Sequence, residues 1–425
     1  MERKMKAFCR TTGLGLLAAA LLTLCPAAGE AASLADILKE KGVITSAEYQ
    51  QATKDQPTVS YQAGKGLTVA SADGNSKLQI GGYAQILYRL TDTDAQDKDN
   101  QSNFNIRRFK LVLQGTLFSD NFGYRFQGDV SSGFRTEDVF FNYKFGAPLI
   151  VQVGQFKPPQ ARQELTGAGK QLFPERSLAN DTFNLGRDQG VQAAGSFAGK
   201  LIEYRAGIFN GNGPNTSNPD ANHMIAGRID VNPLGAYAMD EAGWPRDKPL
   251  LNLGASAAWE KVTAADVGSA FSTDDDVMDV ALNLDGLTSA GFTAAYGKDL
   301  TWLLWTANLN ATWLGASFAS EYYHLGASPQ LGQSWSAHGY YVQGGYQIVP
   351  DTLELAVRYT AVKSDSTTAT RLVSAVFDKA QTQFGVNYYF RKHLAKLQAD
   401  FTTVDDHHSA NKNDGIVRLQ AQFYY

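Results

Sequence analysis

Ten basic residues recur at alternate positions of strand-like runs: Arg89, Arg108, Lys110, Arg125, Lys144, Arg205, Arg228, Arg358, Lys396 and Arg418. Eight acids share those faces: Asp129, Asp138, Glu203, Asp230, Asp279, Glu321, Glu354 and Asp400. The totals nearly balance. Five of the cations, however, fall on the first four runs, with only Asp129 and Asp138 beside them. A basic strip on one wall of a narrow cleft focuses field lines and enriches anions. Each such residue is expected to be a solvated lining charge rather than a dedicated ligand. The joint "KPPQARQELTGAGKQLFPERSLANDTFNLG" at 157–186 adds Lys157, Arg162, Lys170 and Arg176 against Glu164, Glu175 and Asp181. Long ordered loops are usually functional. This one is expected to fold inward and narrow a channel, the plainer alternative being an exposed loop of mixed charge.

Other chemistries find less support. The clusters "DDHH" (405–408), "TDDD" (273–276) and "TDTDAQDKD" (91–99) lack the spacing of a zinc site or an EF-hand. They are expected to be solvated loops, with acidic loops able to hold divalent cations that bridge lipopolysaccharide. His223 has no partner in a recognisable Ser–His motif, so an enzyme is disfavoured. No metal and no cofactor are expected. The formal charge is −4. Residues 1–31 hold four cationic and two acidic side chains, leaving about −6 beyond them, which argues against nucleic acid as a partner.

The elements that must position these charges are strands. In "NFGYRFQGDVS" (121–131), Phe122, Tyr124, Phe126, Gly128 and Val130 alternate with Arg125, Gln127 and Asp129. The same period of two runs through "FNIRRFKLVLQG", "EDVFFNYKF", "TLELAVRYT", "QTQFGVNYYF" and "IVRLQAQFYY". Short joints such as "SDN" and "GAP" alternate with long ones such as "NGNGPNTSNPDAN". A soluble sandwich would also alternate, but its strands would run about 5–6 residues. Many runs here reach the ~10 needed to cross a bilayer obliquely. Backbone groups in lipid must all be paired, so the barrel must be closed. The expectation is an all-β, closed, antiparallel up-and-down transmembrane β-barrel of 16–18 strands. Its oily faces meet lipid and its ionised faces meet water. Counting by parity gives 18 strands, with 275–313 the least certain stretch and strand starts placed near 277 and 287.

The N-terminus reads differently. Basic Met1–Arg10, the apolar "TGLGLLAAALLTL" and the small residues "PAAGEAAS" make a cleaved signal peptide over 1–31. The apolar run is too short for a spanning anchor. Both cysteines, Cys9 and Cys25, fall inside it. Leu24 and Pro26 disfavour lipidation of Cys25. Residues 32–56 are expected to form a periplasmic helix–turn–helix, with Ser46 able to cap the second helix, 57–76 a linker, and 77–425 the barrel.

The segments "LQIGGYAQILY" (78–88), "FNIRRFKLVLQG" (104–115), "VQVGQFKPP" (151–159), "FGVNYYF" (384–390) and "IVRLQAQFYY", in that order, resemble the phosphate-selective porin O and P family over roughly 77–425. The resemblance implies a homotrimeric outer-membrane porin of a Gram-negative bacterium with 16 strands. If 16 holds, the hairpin near 275–300 is the over-count. Arg107 and Arg108 match the family's double arginine, whereas Tyr83 stands where a lumenal arginine is expected. The implied activity is passive diffusion of small anionic or neutral solutes, with a weak to moderate anion preference and phosphate among the candidates. The alternative is an adhesin or structural barrel. Expected partners are the outer membrane, lipopolysaccharide, and the barrel assembly machinery through the last strand ending at Tyr425.

Overall fold

The computed structural model describes residues 34–53, 56–93, 100–244, 246–268, 281–282, 284, 287–365, 377–406 and 413–425. The expected signal peptide, Asp279, the "TDDD" run, residues 94–99 of "TDTDAQDKD" and the two histidines of "DDHH" lie outside them. The chain divides into two compact units at Gln56/Pro57. In the first, α1 (Leu34–Glu40) and α2 (Ser46–Thr53) form the helical pair. Thr45, not Ser46, caps α2. Its Oγ1 accepts from Glu48 N–H at 3.2 Å while Glu48 Oε2 accepts from Thr45 N–H at 2.7 Å, a capping box. Tyr49 Oη donates to Asp36 Oδ1 at 2.5 Å and ties the helices together.

The second unit is a closed barrel. Its strands are β3 (Lys77–Asp92), β4 (Gln101–Leu117), β5 (Ser119–Asp129), β6 (Arg135–Gly146), β7 (Leu149–Phe156), β8 (Asp188–Phe197), β9 (Ile202–Phe209) and β10 (Met224–Val231). They continue as β11 (Leu250–Thr263), β12 (Asp299–Trp313), β13 (Ala316–Pro329), β14 (Trp335–Val349), β15 (Leu353–Ser364), β16 (Lys379–Arg391), β17 (Ala395–Asp406) and β18 (Asn413–Tyr424). Each pairs antiparallel with the next, and β18 closes on β3 from Gly415↔Asp92 to Tyr424↔Tyr83. The barrel therefore has sixteen strands, two fewer than the parity count. The strand expected near 287 is instead a helix, Ser289–Tyr296, capped by Thr288 Oγ1, which accepts from Gly291 N–H at 3.1 Å. Phe292 and Tyr296, four apart, share its buried face. The start expected near 277 lies outside the described residues.

Residues 57–76, expected as a linker, belong to the barrel unit and form a hairpin of β1 (Thr58–Gln62) and β2 (Gly66–Ala70). β2 pairs with the first residues of β3, Leu67↔Ile80 to Ala70↔Lys77. It thus continues the wall directly beneath the end of β18. Gly66 is obligatory there: its φ is +83°, and a Cβ would lie 2.0 Å from the Ile80 carbonyl oxygen.

The faces divide inside out. Phe141, Val357, Phe384, Phe401 and Leu419 remain 46–57% exposed, while Gln85, Gln127, Gln383, Gln398 and Gln422 at lumenal positions are buried. The aromatic rows therefore look outward to hydrocarbon and the polar rows inward. An Arg or Lys on the lipid face at mid-bilayer would cost about 2–4 kcal/mol. Short turns at 147–148, 314–315, 350–352 and 392–394 gather at one end, and the long loops 157–187 and 210–223 at the other. One joint breaks the rule: 232–249, between β10 and β11, is long but lies on the short-turn side.

Candidate functional site, an eccentric charged channel

The loop 157–187 runs inside the barrel and is fastened to the wall of β13 and β15–β18. Glu321 accepts from the backbone N–H of Arg162 (2.6 Å) and Gln163 (3.1 Å). Arg358 donates to the carbonyls of Glu175 (2.9 Å) and Arg176 (3.0 Å) and stacks over Phe173. Lys396 Nζ donates to Gln171 O at 3.0 Å, Asn387 to Leu172 O at 3.0 Å, and Gln422 to Gly169 O at 3.0 Å. Polar side chains of these strands satisfy a loop backbone that would otherwise be buried without partners. Within the loop, Ser177 caps the short helix Leu178–Phe183 by accepting from Asn180 N–H.

The joint 232–249 enters from the opposite end and meets the loop. Glu241 accepts from Leu172 N–H at 2.8 Å and from Gln163 Nε2 at 3.1 Å. Arg162 donates to Ala238 O at 2.9 Å and lies over the Tyr237 ring. Trp244 packs against Tyr389 and His393, and His393 contacts Asp240 at 2.9 Å. Above this layer, Phe183 and Leu185 of the loop join Leu284, Phe292, Trp302, Leu304, Tyr323 and Tyr341 in one apolar cluster. One side of the lumen is therefore packed shut.

The open space lies on the other side. A cavity of about 1010 Å³ is bounded by β3–β6 and the near face of the loop, and reaches from Lys65 and Gln79 to Arg135 and Asn184. Ten cationic and six acidic side chains line it. Two β-bulges shape its charge. Between β3 and β4 the register slips, so that Gln85 faces Arg108 while Ile86 faces Ile106, and Arg107 is the extra residue. Arg107 and Arg108 both turn inward onto Glu175 of the loop, at 2.5 and 3.0 Å. Between β5 and β6 a second slip places Glu137 and Asp138 together opposite Gln127. Both face the lumen: Glu137 contacts Lys110 and Arg187, and Asp138 contacts Arg187 at 2.6 Å and Arg125 at 3.2 Å. Lys110 also meets Asp129 at 2.6 Å.

The expected site residues divide accordingly. Arg107, Arg108, Lys110 and Arg125 line the cavity, as do Lys157, Lys170 and Arg176. Arg89 and Lys144 do not. Arg89 donates to Thr91 beyond the cavity, and Lys144 is an exposed residue near the short-turn end of β6. Arg162, expected at the constriction, is instead a buried anchor, 3.6 Å from Asp230 on the packed side. Arg228, Arg358, Lys396 and Arg418 face inward but are held in the packed half. Alternation did not reveal Glu137 or Arg187. The signal that could have exposed Glu137 is the charged dipeptide itself: strict alternation would put one member of "ED" in hydrocarbon.

The loop's own acids are tuned by these contacts. Burial raises Glu175, but the Arg108 and Arg107 guanidiniums outweigh it and hold the carboxyl down at about 2. Burial pushes Asp181 up to about 6, and the neighbouring Glu175 and Glu164 add to the rise. Arg176, 3.1 Å away, and Lys157 bind Glu164 on the same loop.

A family model described as phosphate-selective porin O and P matches residues 78–425. An uncharacterized protein of Aquifex aeolicus is 23% identical over 431 residues, covering 91% of this chain and 93% of that one. Among solved structures, an anion-selective porin from Comamonas acidovorans superposes with a TM-score of 0.59 at 12% identity, covering 83% of this chain and 100% of that one. The trimer form of OmpT, an outer membrane protein of Vibrio cholerae, gives 0.50 at 12% identity, covering 82% and 99%. At these identities the likeness to solved structures is one of fold.

Proposed function

The chain belongs to the phosphate-selective porin O and P family and is an outer-membrane diffusion porin, and from the charge of its channel we propose a weak to moderate preference for anions, phosphate among them. The observation that carries this is the excess of ten cationic over six acidic side chains along the open space. Small hydrophilic anions gain from that field, and neutral solutes of similar size pass without it. Five of the six acids are bound to arginine or lysine, which caps the preference at a moderate level. The test is a reversal potential across a planar bilayer in a KCl gradient. A sign favouring chloride supports the reading, and a sign favouring potassium overturns it.

In the same reading the channel works as a homotrimer, as the trimer form of the similar OmpT structure suggests. It sits among lipopolysaccharide, is exported by a cleaved signal over 1–31, and is inserted by the barrel assembly machinery through the strand ending at Tyr425. The barrel conducts and performs no catalysis.

A further inference from the structure

We propose that the channel carries a subsite for aromatic carboxylates, built by Tyr83, Tyr424, Lys65 and Lys170. The inference deepens the anion-channel reading and rests on it. Tyr83 and Tyr424 are partners across the β3–β18 seam, where the barrel closes. Their rings stack with centroids 4.9 Å apart and an interplanar angle of 27°, and both border the cavity. The loop comes close because it has almost no side chain at this point. A Cβ on Gly169 would stand 2.0 Å from Tyr424 Oη, so the phenol lies against bare backbone. A Cβ on Gly167, which also borders the cavity, would meet nothing within 4 Å. Two residues from that contact, Gly167 therefore faces open space in the cavity that the tyrosine pair also borders.

Two ammonium groups, unpaired among the described residues, border the same cavity. Lys65 and Lys170 are exposed and border the same cavity, and neither forms an ion pair among the described residues. Neither phenol hydroxyl and neither ammonium is engaged in a hydrogen bond among those residues. The lining carboxylates, by contrast, are held by arginine or lysine, save Asp181. Two ammonium groups and two phenols offer donors to a carboxylate. The tyrosine face offers a stacking surface to a flat apolar body. Inorganic phosphate could use the donors but not the rings, and neither could a short aliphatic acid.

The test uses the purified full chain in planar bilayers, with benzoate, acetate and inorganic phosphate as probes of the single-channel KCl current. Benzoate is expected to halve the current at a concentration roughly threefold or more below that of acetate or phosphate, the scale of one aromatic contact. Tyr83→Leu should abolish that advantage. Gly167→Phe, which fills that space without needing the tyrosine changed, should abolish it as well. Lys170→Gln should weaken benzoate and acetate together. A chloride-favouring channel that benzoate and acetate block equally would overturn the subsite alone. So would a benzoate advantage that survives both Tyr83→Leu and Gly167→Phe, or a stronger effect of phosphate. A channel that favours potassium would overturn the anion reading beneath it.

Discussion

Glu175 joins the inward loop to the double arginine of β4, and Glu175→Gln tests the channel's charge with little change of shape. The carboxylate contacts Arg107 at 2.5 Å and Arg108 at 3.0 Å. It is held at about 2 against an ordinary 4.5, worth on the order of 3 kcal/mol of loop docking at neutral pH. That contribution is complete above pH 4.5 and fades as the pH falls toward 2. In the variant the lining keeps ten cations against five acids. One unit of charge at ~7 Å from a passing ion is worth about 0.6 kcal/mol in water, with opposite sign for anion and cation, and screening at 0.1 M roughly halves it for each. The anion-to-cation permeability ratio should therefore rise by about two- to threefold at 0.1 M salt, where the Debye length is ~10 Å. At 1 M, where it shrinks to ~3 Å, the rise should vanish. Reversal potentials at the two ionic strengths measure both effects. An unchanged ratio at low salt, or a shift toward cations, would refute the assignment of Glu175 and its arginines to the ion path.

Arg108→Glu should move the ratio the other way, toward cations, in the same assay; no shift would remove Arg108 from the pore account. Asp181 titrates near pH 6, so lowering the pH from 7.5 to 5 removes one negative charge from the lining and should raise anion preference. Asp181→Asn should reduce that rise without abolishing it, because Lys157, pulled down to about 7 by burial, gains its charge across the same window. Arg162→Ala should leave the reversal potential unchanged, because Arg162 is buried on the packed side. It removes a charged hydrogen bond worth about 2 kcal/mol from the contact between the loop and 232–249, so the single-channel current should become noisier.

The barrel was legible because its alternation is a consequence of lipid on one side and water on the other. Lipid-facing Phe141, Val357 and Phe384 could be assigned from parity alone. Parity failed where the chain leaves it. Bulges at Arg107 and at Glu137/Asp138 turn adjacent charges to the same side, and no periodicity reports a bulge. The stretch 287–296 offered too few residues to separate period two from 3.6, and its helix is fixed by packing of Phe292 and Tyr296 on the apolar cluster. On β12, Leu300, Trp302 and Leu304 face that cluster while Leu303 and Trp305 face lipid, so alternation disappears in a strand that is greasy on both sides. The division of the lumen depends on the loop meeting a distant joint and a distant wall, Leu172 with Glu241 and Glu175 with Arg358. Such pairings are set by tertiary geometry and leave no local mark.

The seam at β3 bears on how the molecule is built. Tyr425 exchanges backbone hydrogen bonds with Gly82, and two residues earlier on β3, at Ile80, the hairpin strand begins its own pairing over Lys77–Ile80. The final strand is thus stopped at its lower end by a piece of chain made long before it. A slide of two residues would drive Tyr425 into the hairpin turn, whose Lys65 oxygen already crowds Gly81. The hairpin in this sense marks the register in which the last strand meets the first.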